Sequence, residues 1–91
     1  MAIDPSSFGV ADPTGTQKLL TALWVEVLQL SRPPTETDDF FALGGTSMTM
    51  ITLEYRIEEE FNVQLSAGTL LGVPTLGELS NVVESLRASA R

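Results

Sequence analysis

The chain has 91 residues, a length that supports one domain with a single core. It contains 12 acidic and 5 basic residues, so its formal charge is −7, and it has neither cysteine nor histidine. These absences exclude disulfides and thiolate metal sites and remove the commonest general base, so we predict no catalytic or metal site. The negative charge opposes binding to nucleic acid and favours basic protein partners, with solubility alone as the alternative explanation of the acidity. No apolar stretch could span a membrane and no secretory signal is visible, so we expect a cytoplasmic protein.

The first predicted helix runs from about Thr16 to Leu30. Its apolar residues recur with the spacing of a broad helical stripe: Leu19, Leu20, Leu23, Trp24, Val27 and Leu28. Thr14 or Thr16 can cap its N-terminus, and Pro33 ends the helical region because the residue before a proline avoids helical geometry. Residues 1–14 contain prolines and glycines that break any period, and they are predicted to form a flexible N-terminal arm.

A long loop is predicted between the first two helices, over residues 31–46. Asp38 is expected to cap a short turn within it, while Phe40, Phe41 and Leu43 should anchor it to the core. A loop of this length in so small a domain usually has a function or its own packing.

Three more helices are predicted, over about 47–60, about 67–71 and from residue 76 onward. Ser66 is the expected cap of the third helix, and Thr75 with Glu78 fits a capping box at the start of the fourth. The sequence therefore predicts an all-α fold, a small bundle of three main helices plus one short helix, in a domain spanning residues 15–91.

A Gly-Gly-Thr-Ser turn, comprising Gly44, Gly45, Thr46 and Ser47, directly precedes the second helix. Glycines permit positive φ and leave the backbone bare, so the active site of another protein could approach closely. Ser47 is predicted at or next to the helix N-terminus, where unpaired N–H groups and the helix dipole favour a negative charge such as a phosphodiester. From these residues alone, the commoner explanation of Ser47 is a plain N-cap.

Catalytic and ion-binding explanations of this region lack the residues they need. A nucleophilic Ser47 requires a base, and the chain offers no histidine and only one lysine, Lys18. The spacing of a phosphate-binding P-loop is absent. Asp38 and Asp39 lack the alternating ligands of an EF-hand.

The second helix has two apolar faces when its residues are projected at helical spacing. The predicted core face carries Met50, Leu53, Ile57 and Phe61. The opposite face is predicted to be a docking strip for partner proteins, and it carries Met48, Ile51, Thr52 and Tyr55. The alternative is that Ile51 and Tyr55 pack against the long loop or the third helix.

The segment 39–47 reads DFFALGGTS and resembles the modification motif of peptidyl carrier proteins. In that family an acid or Asn precedes two Phe, any residue, Leu, two Gly, His or Asp, and the modified Ser. Further family positions match at Arg56-Ile57, Phe61-x-Val63-x-Leu65 and Pro74-Thr75-Leu76, so the resemblance covers about residues 16–88. Thr46 departs from the usual His or Asp, which leaves open which transferase or partner recognises the turn.

The resemblance implies that Ser47 carries 4′-phosphopantetheine, moved from coenzyme A by a phosphopantetheinyl transferase. It further implies that an adenylation enzyme loads an amino acid as a thioester, and that tailoring or condensation enzymes act on this cargo. The chain itself is then a non-catalytic carrier in nonribosomal peptide or related biosynthesis. Because it begins with Met1 and shows no second domain, we expect a free-standing (type II) carrier, the alternative being a module of a larger synthetase. Nothing in the sequence reports oligomeric state, so a monomer is the default expectation. An acyl or polyketide-type carrier and an unmodified helical interaction module remain as alternatives.

Overall fold

The computed structural model describes residues 13–89 and arranges them in four helices. These are α1 (Pro13–Leu28), α2 (Ser47–Phe61), α3 (Thr69–Gly72) and α4 (Leu76–Ser89). Three long helices and one short helix make the predicted all-α bundle, so the fold class is confirmed. The flexible arm predicted for residues 1–14 lies outside the described residues, apart from Pro13 and Thr14.

Helix α1 begins at Pro13, three residues before the predicted start. Proline suits the first helical turn because its fixed φ is already helical and its missing N–H would have no partner there. Thr16 is therefore inside the helix, and the predicted cap at this residue is wrong. Its buried hydroxyl donates to the Glu84 carboxylate and accepts from Arg87 Nη1 at 2.7 Å, so it joins α1 to α4 instead.

The other end of α1 is also displaced, because the helix ends at Leu28 and not at Leu30. Gln29 takes a positive φ of 54°, and the Leu30 N–H turns back to the Val25 carbonyl at 3.0 Å. This left-handed residue closes the helix in the manner of a C-terminal capping turn. The helix thus ends two residues before the predicted end and five residues before Pro33, which was expected to stop it.

The core lies between α1, α2 and α4, and twelve buried apolar side chains form it: Leu20, Leu23, Trp24, Phe40, Met50, Leu53, Ile57, Val63, Leu70, Leu76, Leu79 and Val83. Its centre is an aromatic pair in which Trp24 and Phe40 meet edge to face, with ring centroids 5.3 Å apart. The ring of Phe41 packs on Phe40 with the same geometry. The core stripe predicted for α2 is confirmed, with Phe61 at its half-buried end.

The long loop is bound to the start of α4 by backbone hydrogen bonds. The Phe40 N–H donates to the Pro74 carbonyl at 2.8 Å, and the Gly77 N–H donates to the Glu36 carbonyl at 2.8 Å. The short turn after residue 38 is capped by Asp39 and not by Asp38, because Asp39 Oδ1 accepts from the Phe41 N–H at 2.8 Å. The Asp38 carboxylate instead accepts from the N–H of Thr35, three residues before it in the chain.

The caps of the last two helices match the sequence only in part. Helix α3 begins at Thr69 after Gly68, so the predicted Ser66 cap is wrong, and Ser66 contributes only its carbonyl. At α4 the Glu78 N–H donates to Thr75 Oγ1 at 3.3 Å, as predicted. The Glu78 carboxylate accepts from the Thr75 hydroxyl at 2.9 Å in place of a backbone N–H. Within residues 13–89, no helix has the length and apolarity that crossing a bilayer requires.

A test of this packing is the substitution Gly45→Ala. A Cβ at Gly45 would overlap two ring carbons of Phe40 and lie 2.7 Å from its carbonyl oxygen. We expect the free energy of unfolding to fall by about 1–3 kcal/mol, the usual cost of overpacking. The control Gly72→Ala meets nothing within 4 Å and should leave stability unchanged or slightly raised. Equal thermal stability of the two variants would contradict the proposed packing of Phe40 on Gly45.

Candidate functional site

Ser47 is the first residue of α2 and its side chain is exposed. Within residues 13–89 its hydroxyl makes no hydrogen bond. The cap of α2 is Thr46, which has extended backbone geometry (φ −129°, ψ 176°) and accepts from the Thr49 N–H at 3.2 Å. The interpretation of Ser47 as a plain N-cap is therefore wrong, because its neighbour fills that position.

The cap of α2 is reciprocal, a feature that the sequence analysis missed. The Thr46 N–H donates to Thr49 Oγ1 at 2.7 Å, and the Thr49 hydroxyl donates to the Thr46 carbonyl at 3.1 Å. The third helical residue of such a box is usually Glu or Gln, which is why the pair was not recognised. The available signal was two threonines three positions apart at a predicted helix start.

The two glycines before Thr46 serve different purposes. Gly44 is exposed with φ of 105°, and a Cβ there would meet nothing within 4 Å, so its backbone conformation is what requires glycine. Gly45 is half-buried against Phe40 and requires glycine for packing. Close approach by another protein was expected at both glycines, but the geometry provides it at Gly44 alone.

The face of α2 that follows Ser47 is exposed and largely apolar. The exposed fraction is 75% for Met48, 59% for Ile51 and 58% for Tyr55. Thr52 is exposed too, and its hydroxyl donates to the Met48 carbonyl at 3.1 Å. Ile51 and Tyr55 therefore do not pack against the loop or α3, and that alternative is wrong. These four residues are called the α2 strip below.

Acidic residues flank the α2 strip toward the end of the helix, where Glu59 and Glu60 are exposed. The one basic residue of α2, Arg56, forms an ion pair with Glu26 of α1 at 2.9 Å. Its charge is thus balanced by a residue of another helix, and the exposed end of α2 is negative. Such a surface attracts basic partners at long range.

Glu54 is a buried carboxylate that the sequence analysis did not recognise as structural. It accepts from the Gly68 N–H and the Leu70 N–H, both at 3.3 Å, and so binds the start of α3 to α2. The available signal was its spacing, because Glu54 lies four residues after Met50 and three before Ile57, on the core stripe. Leu71 of α3 is held beside this contact with an exposed fraction of 69%.

A helical bundle that exposes a serine at the first position of its second helix has the architecture of a small carrier domain. Residues 18–83 match the family model described as "Phosphopantetheine attachment site", and the chain belongs to this family. The prosthetic group of the family is 4′-phosphopantetheine, attached covalently from coenzyme A.

Similar proteins include parts of large synthetases and small carriers. Gramicidin S synthase 2 of Brevibacillus brevis is 37% identical over 71 residues, which are 78% of this chain and 2% of that protein. The structure of BlmI, a type II acyl carrier protein from Streptomyces verticillus involved in bleomycin biosynthesis, matches with a TM-score of 0.77 and 26% identity, over 88% of this chain and 95% of BlmI.

A third match is a chain in the structure of the phosphopantetheine transferase Sfp in complex with coenzyme A and a peptidyl carrier protein. It has a TM-score of 0.72 and 26% identity, over 77% of this chain and 90% of that one. The chain spans about 2% of the length of the chondramide and gramicidin S synthases that it matches.

The contact made by Glu54 predicts the effect of removing it. Glu54→Ala leaves two N–H groups of the α3 start without their acceptor, and we expect a loss of about 1–3 kcal/mol in the free energy of unfolding. Glu60→Ala, on the exposed side of the same helix, is the matched control and should change stability by less than about 0.5 kcal/mol. Urea denaturation of both variants measures the difference. Equal midpoints would show that the Glu54 carboxylate does not hold α3.

Proposed function

We propose that this chain is a peptidyl or aminoacyl carrier protein whose 4′-phosphopantetheine arm is attached to Ser47. One observation carries the proposal: Ser47 is exposed at the first position of α2, while Thr46 supplies the cap that a serine would otherwise make. When bound, the group supplies a terminal thiol that holds an amino acid or peptide as a thioester. The chain's own role is to carry this cargo, in nonribosomal peptide or related biosynthesis, and partner enzymes perform the catalysis.

The residues around Ser47 fit a phosphodiester. Attachment at the first position of α2 puts the negative phosphate beside the unpaired N–H groups of the helix start, where it is stabilised by about 0.3–1 kcal/mol. Gly44 leaves the approach to this turn free of side chains. Gly45 and Thr46 contribute differently, Gly45 by packing the turn on Phe40 and Thr46 by capping the helix.

Attachment is a phosphoryl transfer in which Ser47 Oγ is the nucleophile. A bond forms between Oγ and the phosphorus of coenzyme A that carries the pantetheine, and the pyrophosphate bond breaks. Adenosine 3′,5′-bisphosphate leaves, and the hydroxyl proton passes to the transferase. The chain has no histidine, and the base for this step is proposed to come from the transferase.

The α2 strip is proposed as the surface on which the phosphopantetheinyl transferase docks. It starts one residue after Ser47 and exposes Met48, Ile51 and Tyr55 on the same helix face. Exposed apolar residues rimmed by charge are typical of protein contact sites. The acidic end of α2 complements a basic partner, so attraction at long range would guide the encounter. The adenylation enzyme and the tailoring or condensation enzymes are proposed as further partners.

The class of cargo has two candidates. The Gly44-Gly45 pair and the similarity to peptide synthetases support an amino acid or peptide. The fold similarity to BlmI, described as an acyl carrier protein, supports an acyl-type carrier as the second candidate. Loading that depends on ATP and amino acids supports the first, and transfer from acyl-coenzyme A supports the second.

The free-standing, monomeric state stays a prediction, tested by the mass of the native polypeptide and its size in solution.

The attachment site predicts a specific mass change. We expect the protein to gain one phosphopantetheine group on incubation with coenzyme A, Mg²⁺ and a transferase of broad specificity, as measured by intact mass spectrometry. Ser47→Ala should abolish the gain because it removes the nucleophilic oxygen. Ser66→Ala, at another exposed serine, is the control and should retain the full gain. A folded wild-type protein that gains no mass would instead support an unmodified interaction module.

The docking proposal predicts a kinetic effect of the α2 strip. Met48→Ala and Tyr55→Ala each remove exposed apolar surface, and we expect a rise of about 5- to 10-fold in the transferase KM, which corresponds to roughly 1 kcal/mol of contact energy each. Asn81→Ala, an exposed change on α4, is the control and should leave KM unchanged. An unaltered transferase KM for folded Met48→Ala and Tyr55→Ala variants would contradict docking on the α2 strip.

A further inference from the structure

Two neighbouring residues at the start of α2 are each able to cap it. Serine is among the best capping residues and threonine is weaker, so intrinsic preference favours Ser47 over Thr46 as the cap. The structure shows the opposite choice, because Thr46 caps the helix and Ser47 is its first helical residue. Something beyond the preference of the single residue therefore decides where α2 begins.

The additional contribution comes from Thr49. Thr46 Oγ1 accepts from the Thr49 N–H at 3.2 Å, Thr49 Oγ1 accepts from the Thr46 N–H at 2.7 Å, and the Thr49 hydroxyl returns a bond to the Thr46 carbonyl at 3.1 Å. The Met50 N–H then donates to the Thr46 carbonyl at 2.8 Å, which is the first regular bond of the helix. A cap at Thr46 thus has a partner that returns its hydrogen bonds.

The competing arrangement starts α2 one residue later. Ser47 would then take the extended backbone geometry of a cap, and its Oγ would accept a hydrogen bond from the N–H of Thr49 or Met50. In that arrangement the oxygen that must attack phosphorus is turned back onto the helix end. A backbone donor then engages one of the two lone pairs of this oxygen and holds the side chain at the helix end, which makes the oxygen less available to the transferase.

We propose that Thr46 and Thr49 together fix the first residue of α2 and thereby keep the Ser47 hydroxyl available for phosphopantetheine transfer. Both are positioning residues that act through the helix start, without contact to the group itself. The inference rests on the proposed attachment at Ser47.

The substitution Thr49→Val tests the proposal with the smallest change in shape, since it replaces one hydroxyl by a methyl group. Thr46→Val removes the other half of the pair. Loss of one side-chain cap shifts the equilibrium between the two helix starts about fivefold, so we expect each variant to lower the transferase kcat/KM by up to about fivefold. Thr49→Ser and Thr46→Ser, which retain the hydroxyl, should restore the wild-type value. Thr21→Val, which removes a hydroxyl bonded within α1, is the matched control and should leave the rate unchanged.

A second measurement does not depend on the transferase. The ¹³Cα and ¹³Cβ chemical shifts of Ser47 in the unmodified full-length protein report whether its backbone is helical or extended. We expect helical values in the wild type and in both serine variants, and a displacement toward extended values in Thr49→Val and Thr46→Val. Because this signal reports the backbone of one residue, general destabilisation would not produce it in a protein that stays folded.

The outcomes separate the inference from the proposed function. Val variants that keep helical Ser47 shifts and wild-type rates overturn the inference, as do variants that displace the shifts without slowing the transfer. A wild-type protein with helical Ser47 that accepts no phosphopantetheine overturns the proposed attachment and leaves the capping result standing. If a Val variant unfolds, Thr46→Asn supplies the test, because Asn is a stronger cap and should raise kcat/KM or leave it unchanged; a fall of fivefold or more would contradict the inference.

Discussion

The ring of Phe40 holds the loop between α1 and α2 in place. It packs edge to face on Trp24 in the core, and its other side touches the bare backbone of Gly45. Its own N–H donates to the Pro74 carbonyl at 2.8 Å, so the same residue fastens the loop to the start of α4. Only Thr46 lies between Gly45 and the first residue of α2, so a fixed Phe40 determines the position of Ser47.

Polar contacts between side chains of different helices hold α1, α2 and α4 together around the core. Arg56 joins α2 to Glu26 of α1, and Thr16 joins α1 to Glu84 and Arg87 of α4. The Arg87 guanidinium also lies 5.4 Å from the centroid of the Phe61 ring, at the far end of α2. The exposed ion pair contributes little stability by itself. The buried apolar core does most of the stabilising, and the polar contacts set which faces of the helices meet.

Much of the fold could be predicted because its signals are local. Helical spacing identified the core stripe of α2 and the exposed face on its other side, and the Gly-Gly-Thr-Ser turn placed the start of α2 at Ser47. Four helices, the all-α class and the family followed from these patterns. The loop anchors were predicted as well, because Phe40 is buried and Phe41 and Leu43 pack on the core.

The errors arose where a side chain is used by a distant part of the chain. Thr16 is of a residue type that often caps helices, but its hydroxyl bonds to Glu84 of α4, which lies 68 residues away in sequence. The start of α3 is bound by Glu54, 14 residues away from Gly68, so the local candidate Ser66 was not needed. Whether Asp38 or Asp39 caps the short turn depends on the path that the loop takes. No single-residue preference contains that information.

The central claim is that this fold presents the Ser47 oxygen for esterification, and the native protein tests it most directly. Purification from its own cell, followed by fragmentation mass spectrometry, locates any covalent group and identifies what is bound to its thiol. The account predicts phosphopantetheine on Ser47, with an aminoacyl or peptidyl cargo in part of the population. A folded native protein with an unmodified Ser47, or with the group on another residue, would contradict it.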